Sequence, residues 1–458
     1  MIAVDVAIVG GGISGLAAAY ELQQRGVSVR VLESASRTGG VITSDRIDGW
    51  VVDGGPDSML VQKPAAVALC RELGIADRLI HTLPPRTAYV LRDGTMNPLA
   101  AGSFLGFPLT AASLAGSPLF SARGKIRMAL EAVTPRRTGH EDESIGNFVR
   151  RRFGEEAVDY LAEPLLAGIH AGDVERLSVH ALFPRLVDAE RQSGSVLRAF
   201  RALKTQPSST GAFVSLPGGT GELVEALYAR LKRDTVALGV RVTDLHRAGT
   251  LRLESSAGQI SASAVILAVP AYVAASLLRG FDTTLAAFCD AVPYASTATV
   301  AFGYRRDQVA HPMIGTGFVV PHVERRALLA GTWVSSKWPG RAPEGHVLIR
   351  GFLGGGRDPH RLEADDATLI DTARTELTEL LIIKGEPLLT RLYRFTRQSP
   401  QYEVGHLERV AAIEQRLSNM PGVFVTGSGF RAIGIPDCIA DGRATGAAAA
   451  KFVSSSHQ

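Results

Sequence analysis

The chain has 458 residues, of which 46 % are hydrophobic and 21 % are charged, and its formal net charge at pH 7 is +4. This composition predicts a globular protein with two or three domains and excludes an intrinsically disordered one. The small basic excess is spread along the chain. It therefore suits an acidic small molecule or an anionic membrane surface, and we expect no nucleic-acid partner.

The three cysteines, Cys70, Cys289 and Cys438, lie far apart and have no C-x-x-C spacing. They predict neither a disulfide framework nor a metal site, and they fit a reducing compartment. The N-terminus has no basic segment or cleavage site before its first apolar run, so we expect a cytoplasmic protein.

The first predicted unit is a strand, a glycine turn, a helix and a second strand. VDVAIV at 4–9 and VSVRVLE at 27–33 have strand composition, and GGGISG follows the first of them. In the G-x-G-x-x-G pattern, glycines allow a tight turn, close approach to a pyrophosphate and close helix packing. Glu33 ends the second strand, where a carboxylate accepts hydrogen bonds from a ribose 2′-hydroxyl and repels a 2′-phosphate. The unit predicts binding of FAD or NAD rather than NADP.

The middle of the chain predicts three kinds of structure. The uncharged stretch at 98–122 contains three prolines, so it predicts an apolar wall or a surface touching one leaflet rather than a spanning helix. Mixed helical patterns run to about residue 203, and a glycine turn with an amphipathic helix is predicted at 215–233. Alternating runs between 291 and 356 predict an antiparallel sheet that carries substrate specificity.

The last predicted unit is the strand GVFVTGS at 422–428, a glycine-punctuated turn and a helix from about Ile439. A helix start carries unsatisfied N–H groups and partial positive charge, so it suits the negative end of a ligand. Asp437 is predicted to cap this helix. Two half-sites at opposite ends of the chain are what a long dinucleotide needs.

Several stretches resemble known families. ESASRTGGVITS (33–44), followed by DGGPDSM (53–59), resembles the R-x-G-G-x-x-x-[TS] extension of the FAD enzymes related to amine oxidases and phytoene desaturases, which NAD dehydrogenases usually lack. Four further stretches together resemble the FAD-dependent porphyrinogen oxidases of haem biosynthesis, which act on protoporphyrinogen IX or coproporphyrinogen III. These stretches are EPLLAGIHAGDVERLSVHALFPRL (163–186), LPGGTGELVEAL (216–227), PQYEVGH (400–406) and GIPDCIADG (434–442).

This resemblance implies an oxidase in which flavin takes hydride from a methylene bridge of a porphyrinogen and oxygen reoxidises the flavin, giving peroxide. It implies non-covalent FAD, because the residues around Cys438 do not resemble the covalent-flavin motif of monoamine oxidases. The expected FAD contacts are Gly10, Gly11, Gly12, Ile13, Ser14, Gly15, Glu33, Ser34, Arg37, Gly39, Gly40, Gly55, Pro56, Asp57, Ser58, Val242, Ile433, Gly434 and Ile435.

The resemblance also implies a flat, mostly apolar slot with a few cations for the propionates. The expected slot residues are Ala167, Gly168, Ile169, His170, Ala171, Gly172, Lys63 and Arg86. His170 stands where the family often has an aromatic residue. It is either a catalytic proton acceptor or propionate partner, or a loop histidine without such a role. Ala88 stands where plant and animal protoporphyrinogen oxidases place an arginine, which tilts the prediction toward coproporphyrinogen III.

The predicted fold class is α/β, with a Rossmann-type FAD-binding domain interleaved with an antiparallel-sheet substrate domain and a mainly helical insert. The FAD-binding domain is assigned to 1–83, 205–285 and 406–458, the insert to 84–204 and the substrate domain to 286–405. The rival interpretations are an amine oxidase or desaturase, and a binding protein like the GDP-dissociation inhibitors. The partners expected from the resemblance are a tetrapyrrole, oxygen, a ferrochelatase that receives the product, and peripheral contact with the inner face of the cell membrane.

Overall fold

A computed structural model defines the fold of residues 2–100, 102–202 and 211–456. The strands, labelled in chain order, are β1 (Ile2–Val9), β2 (Val29–Glu33), β3 (Ser44–Ile47), β4 (Trp50–Asp53), β5 (Met59–Leu60), β6 (Ile80–His81), β7 (Ala88–Arg92), β8 (Thr95–Pro98), β9 (Phe213–Ser215), β10 (Val236–Leu238), β11 (Val242–Ala248), β12 (Thr250–Ser255), β13 (Gly258–Leu267), β14 (Tyr294–Arg305), β15 (Gly317–Val319), β16 (Leu328–Trp333), β17 (His346–Gly354), β18 (Leu389–Pro400) and β19 (Val423–Val425).

The α-helices are α1 (Ile13–Gln24), α2 (Ala65–Leu73), α3 (Ala111–Ala115), α4 (Ala122–Ala129), α5 (Ile145–Phe153), α6 (Glu155–Ala157), α7 (Val179–Leu182), α8 (Pro184–Ser193), α9 (Val196–Ala202), α10 (Gly221–Arg230), α11 (Ala271–Leu278), α12 (Thr283–Asp290), α13 (Val334–Lys337), α14 (Asp366–Leu381), α15 (His406–Leu417) and α16 (Ile435–Ser456). No helix among these described residues is long and apolar enough to cross a membrane.

The first sheet contains the strand, turn and helix unit expected from the sequence. Its order is β10-β2-β1-β13-β12-β11, and β19 also pairs with β13. The strands β10, β2, β1, β13 and β19 run parallel, whereas β12 and β11 are antiparallel additions. Parallel strands are buried on both faces, which is why VDVAIV is almost entirely apolar: Val6, Ala7 and Ile8 have no exposed surface. The carboxyl ends of β1, β2 and β19 therefore meet at one edge, where such sheets bind ligands.

The second sheet has the order β18-β14-β17-β16-β15-β7-β8. It is antiparallel except where β15 pairs with β7, with Gly317 opposite Ala88. The strands β7 and β8 lie in the segment predicted to be mainly helical. They join this sheet through pairing between residues more than 200 positions apart, which local periodicity does not reveal. We refer to this sheet, with α13 and the loop that follows it, as the substrate-side sheet, after the role that the sequence predicts for it.

The helical segment between β8 and β9 has its own apolar core, which includes Phe107, Phe148 and Phe153. A buried ion pair joins Arg152 of α5 to Glu131, and both side chains have no exposed surface. Because an unpaired charge is costly inside a protein, the pair links two parts of this segment. The predicted boundary between residues 204 and 205 lies outside the described residues, and the other domain limits stay predictions.

Candidate active site

The glycine turn between β1 and α1 has the geometry that a pyrophosphate needs. Gly10 has a φ of +105°, and a Cβ there would lie 2.3 Å from the carbonyl oxygen of Ala268. A Cβ at Gly15 would lie 2.1 Å from the carbonyl oxygen of Gly10, so only glycine fits where the helix meets the strand. A Cβ at Gly12 would meet nothing within 4 Å, and no described side chain caps the helix start at Ile13. Open space beside a helix start fits an anionic group.

Glu33 lies at the end of β2 beside this turn. Its carboxylate accepts a hydrogen bond from the backbone N–H of Gly11 (2.6 Å), and the hydroxyl of Ser34 lies 3.4 Å from its other oxygen. The backbone carbonyl of Glu33 accepts the N–H of Val240 (2.8 Å), which brings the chain just before Val242 to the same corner. A carboxylate in this place fits the ribose hydroxyls of a dinucleotide.

The loop after Glu33 lies against the glycine turn. The N–H of Gly39 donates to the carbonyl of Gly11 (2.8 Å). The guanidinium of Arg37 donates to the carbonyls of Gly40 (2.6 Å) and Ile42 (3.1 Å). Arg37 therefore holds the shape of this loop by binding its backbone.

The second predicted cofactor loop, DGGPDSM at 53–59, is packed tightly against its surroundings. A Cβ at Gly55 would lie 2.0 Å from a backbone carbonyl oxygen, so a larger residue does not fit. The hydroxyl of Thr220 donates to the carbonyl of Pro56 (2.7 Å). Asp57 and Ser58 are half-buried, and Ser58 leads directly into β5. We call this segment the cofactor loop.

At the other end of the chain, α16 begins at Ile435, earlier than the start near Ile439 expected from the sequence. Ile433 is half-buried, and Gly434 has a φ of +89°, which glycine adopts without strain. The carboxylate of Asp441 accepts the N–H of Gly427 (2.8 Å) and so ties the turn after β19 to the first turns of the helix.

The prediction that Asp437 caps this helix is wrong. The helix starts two residues before Asp437, so this residue lies in the first turn. Its negative charge there compensates the positive end of the helix dipole. Its carboxylate pairs with Lys63 Nζ at 2.5 Å. The neighbouring Cys438 is buried, and burial raises the pKa of its thiol to about 11.

Close packing of α16 on α1 brings the two halves of the predicted site together. A Cβ at Gly442 would lie 2.3 Å from the carbonyl oxygen of Ser14, and one at Gly446 would lie 2.7 Å from that of Ala18. These glycines let the two helices touch through their backbones. The glycine turn of β1 and the start of α16 are therefore adjacent, as a ligand bound by both requires.

We call the predicted AGIHAGD segment at 167–173 the slot loop. It begins at the last residue of a π-helix, Val158–Ala167, which contains Pro164. Such helices occur often at functional sites. A short 3-10 helix covers Gly168–His170, and the side chain of Ile169 is 70 % exposed. The loop is held from the substrate-side sheet, because the carbonyl of His170 accepts a hydrogen bond from Gln401 Nε2 (3.1 Å).

The rest of the slot loop is equally constrained. Ala171 has a φ of +49°, and its carbonyl accepts the N–H of Gly356 (2.7 Å). Gly172 is buried, and a Cβ there would lie 2.5 Å from Gln401 Oε1. The loop therefore has one defined position relative to the substrate-side sheet.

His170 has the electrostatics of a neutral imidazole. Burial, helped by the positive charge of Lys63, lowers the pKa of His170 to about 4. Its ring contacts Phe183 edge-on, with centroids 5.9 Å apart. A neutral imidazole brings no charge for a propionate, and a group with this pKa is a weak base at pH 7. The lowered pKa and the ring contact with Phe183 are more consistent with a wall residue than with a catalytic base, and the role of His170 stays a prediction.

The two predicted cations differ in their surroundings. Lys63 pairs with Asp437 and is close enough to His170 to affect its pKa, so the fold brings together three residues that are far apart in the sequence. Arg86 is exposed, and its Nε donates to the carbonyl (3.1 Å) and hydroxyl (2.9 Å) of Thr82. The structure thus brings Lys63 to the start of α16, and the assignment of Arg86 to the slot stays a prediction.

The motif PQYEVGH supports the C-terminal turn. Tyr402 stacks on His406 with ring centroids 3.7 Å apart, and the phenol donates to the carbonyl of Ser428 (2.9 Å). His406 Nε2 lies 2.9 Å from the carbonyl oxygen of Phe430, and burial lowers the pKa of His406 to about 4. In the sequence this motif indicates a family, but no local pattern predicts that it supports the turn before α16.

Comparisons with known proteins agree with this geometry. The family model of flavin containing amine oxidoreductases matches residues 13–450. Coproporphyrinogen III oxidase of Bacillus subtilis (strain 168) is 34 % identical over 96 % of both chains. The mitochondrial protoporphyrinogen oxidase of Nicotiana tabacum is 30 % identical over 92 % of this chain and 90 % of its own. A crystal structure from Exiguobacterium sp. 255-15, provisionally assigned as protoporphyrinogen oxidase, has a TM-score of 0.89 at 29 % identity and covers 98 % of both chains.

Proposed function

The chain belongs to the family of flavin containing amine oxidoreductases, which makes it an FAD-dependent oxidoreductase, and we propose that it oxidises a porphyrinogen to the porphyrin in haem biosynthesis. The observation that carries this proposal is the similarity to porphyrinogen oxidases over nearly the whole length of both chains. When bound, FAD would supply the redox chemistry, as the acceptor of hydride from the methylene bridges of the macrocycle, with oxygen as the final electron acceptor.

The residues of this chain have distinct tasks in holding the cofactor. The N–H groups at the start of α1, beside Gly12, would hold the pyrophosphate, and Glu33 would accept the ribose hydroxyls. The start of α16 at Ile435 would place the positive end of a helix dipole against the flavin, which favours its negatively charged reduced form. FAD would therefore be bound by both ends of the chain, and the packing of α1 on α16 supports this arrangement.

The substrate slot would lie between the start of α16 and the slot loop. Lys63 is half-exposed and can exchange part of its interaction with Asp437 for a propionate of the substrate, because an exposed ion pair is worth only about 1 kcal/mol or less. His170 and Ile169 would form part of an apolar wall for the flat macrocycle. The chain thus orients the substrate, and the flavin supplies the redox chemistry.

For the substrate we propose coproporphyrinogen III. The Bacillus subtilis relative named for that substrate is 34 % identical, against 30 % for the tobacco protoporphyrinogen oxidase. Ala88, half-buried on β7, provides no cation at the place where plant and animal protoporphyrinogen oxidases have an arginine.

The test is aerobic turnover of the FAD-loaded protein with coproporphyrinogen III and protoporphyrinogen IX side by side, followed by porphyrin fluorescence and peroxide release. We expect a higher kcat/KM for the substrate with four propionates. A preference for protoporphyrinogen IX would overturn the choice of substrate. Absence of turnover with either would overturn the porphyrinogen assignment.

Membrane contact and product transfer form the remaining part of the proposal. The apolar side chains Ile126, Leu130 and Val133 are 64, 49 and 75 % exposed at helical spacing along α4 and the 3-10 helix after it. Arg123 is exposed on the same helix, so this surface suits the anionic inner face of the cell membrane. Porphyrin released there would pass to a ferrochelatase. Val133→Glu should reduce sedimentation with anionic vesicles, and unchanged sedimentation would contradict this placement.

A further inference from the structure

Asp57, in the cofactor loop, has its hydrogen-bonding partners in the other sheet. Lys337 Nζ lies 2.9 and 2.8 Å from the two carboxylate oxygens, and Trp338 Nε1 donates at 3.3 Å. Arg350 Nη1 lies 3.8 Å away. Only 12 % of the Asp57 side chain is exposed, and 15 % of Lys337. A loop expected to contact FAD is therefore held by residues of the substrate-side sheet.

Two arginines of the substrate-side sheet also bind the cofactor loop. Arg350, on β17, donates from Nη2 to the carbonyl of Gly55 at 2.8 Å. Arg341 lies 3.3 Å from the carboxylate of Asp53, at the end of β4, and donates to the hydroxyl of Ser215 (2.9 Å). Both arginine side chains are nearly or fully buried. The cofactor loop is thus fixed by cations at its beginning and in its middle.

The charges of this cluster do not balance. Lys337, Arg341 and Arg350 provide three positive charges, and Asp53 and Asp57 provide two negative ones. A further carboxylate near Arg341, that of Glu222, forms its own ion pair with Arg78 at 2.9 Å and so leaves the excess unchanged. Within the described residues, Nε and Nη1 of both arginines have no hydrogen-bond partner. Burial alone would raise the pKa of Asp57, but Lys337 and Arg350 hold it well below its usual value. The cluster therefore keeps an excess of positive charge beside the cofactor loop at neutral pH.

A buried guanidinium whose nitrogens lack hydrogen-bond partners is costly, so stability alone does not explain this arrangement. We propose that Asp57 is a positioning residue through which the substrate-side sheet holds the cofactor loop against FAD, and that the excess positive charge of the cluster stabilises the reduced, anionic flavin. The proposal rests on the proposed use of this loop for FAD. It connects the sheet that carries the substrate to the affinity and reduction potential of the cofactor.

Opposite charge changes at one ion pair provide the test. Asp57→Asn removes a negative charge and Lys337→Met removes a positive one, while both break the same contact. We expect each variant to raise the dissociation constant of FAD by about tenfold. The midpoint potential of the flavin, measured at pH 7 by equilibration with a redox dye, should rise in Asp57→Asn and fall in Lys337→Met. The double variant should lie between them.

A structural disturbance alone would shift the potential in the same direction in both variants, and that result, or unchanged potential and affinity, would overturn the proposal. Glu131→Gln is the matched control, because it breaks an even more deeply buried pair with Arg152 in the helical segment. It should lower Tm and leave the potential of the flavin unchanged. If Asp57→Asn does not fold, Lys337→Met still tests the proposal, because a midpoint potential of the flavin that does not fall in this variant would overturn it. A wild-type protein that binds no FAD would instead contradict the proposed cofactor site.

Discussion

Gly442→Ala tests the contact between α1 and α16 that unites the two halves of the cofactor site. The new Cβ would lie 2.3 Å from the backbone carbonyl oxygen of Ser14, and real Cβ atoms essentially never come within 3.0 Å of another heavy atom. The helices must therefore separate by about 0.7 Å, which is 3.0 minus 2.3. Backbone atoms cannot swing aside as a flexible side chain can, so the shift reaches the glycine turn and the start of α16.

Two effects of opposite sign determine how much Gly442→Ala changes the free energy of unfolding. Overpacking of this kind costs about 1–3 kcal/mol. Replacing glycine by alanine within a helix returns about 1 kcal/mol. We expect a net loss of about 1 kcal/mol in the free energy of unfolding, together with weaker binding of FAD because the two half-sites move apart.

The assay is denaturant unfolding of the FAD-loaded protein, together with FAD titration of the apoprotein followed by flavin fluorescence. Ala444→Ser, on the exposed face of the same helix, is the control and should change neither quantity appreciably. If Gly442→Ala were more stable than the wild type and bound FAD equally well, the close approach of the two helices would not limit the site, and the reasoning would be refuted.

Three further predictions concern charged groups. Lys63→Met should raise KM for the porphyrinogen about fivefold with little change in kcat, because a partly exposed cation contributes to binding only, and an equal loss in kcat would contradict this. The pKa of His406 is about 4 when folded and about 6.5 when unfolded, so the free energy of unfolding should fall as the pH drops from 6.5 to 4. His406→Gln, which keeps an N–H donor, should remove up to about 3 kcal/mol of that dependence, and an unchanged pH profile of denaturant unfolding would refute it. Arg152→Met should lower the free energy of unfolding by about 3–5 kcal/mol, and adding Glu131→Met should recover part of the loss, whereas additive losses would show that the two groups are not coupled.

Local sequence patterns correctly predicted those parts of the fold whose strands, turns and helices are neighbours in the sequence. The strand before Gly10, the helix after it and the acid at Glu33 are neighbours in sequence and in space, so their order predicted the strand, glycine turn and helix unit that the structure confirms. The run GVFVTGS likewise predicted a strand, and the structure shows it parallel to β13, where burial on both faces requires an apolar sequence. The family comparisons confirm FAD as the cofactor.

The features that local patterns missed are pairings between distant segments. Asp437 has the composition of a helix cap, yet the helix starts before it and Lys63, 374 positions away, takes its carboxylate. The strand at Ala88 was placed in a helical segment, although the Asp93-Gly94 turn that joins it to β8 is a local hairpin signal. Its pairing with β15, which begins more than 200 residues later, is the part that no local pattern shows.

The sequence by itself determined the nucleotide-binding unit, since glycine spacing, apolar periodicity and terminal acids act over a few residues, and its resemblance to known motifs identified the cofactor class and the family. Only the tertiary structure decided which cation meets Asp57, how close α1 lies to α16 and why His170 is neutral. Each of these depends on burial and on distances between segments, and both quantities exist only once the chain is folded.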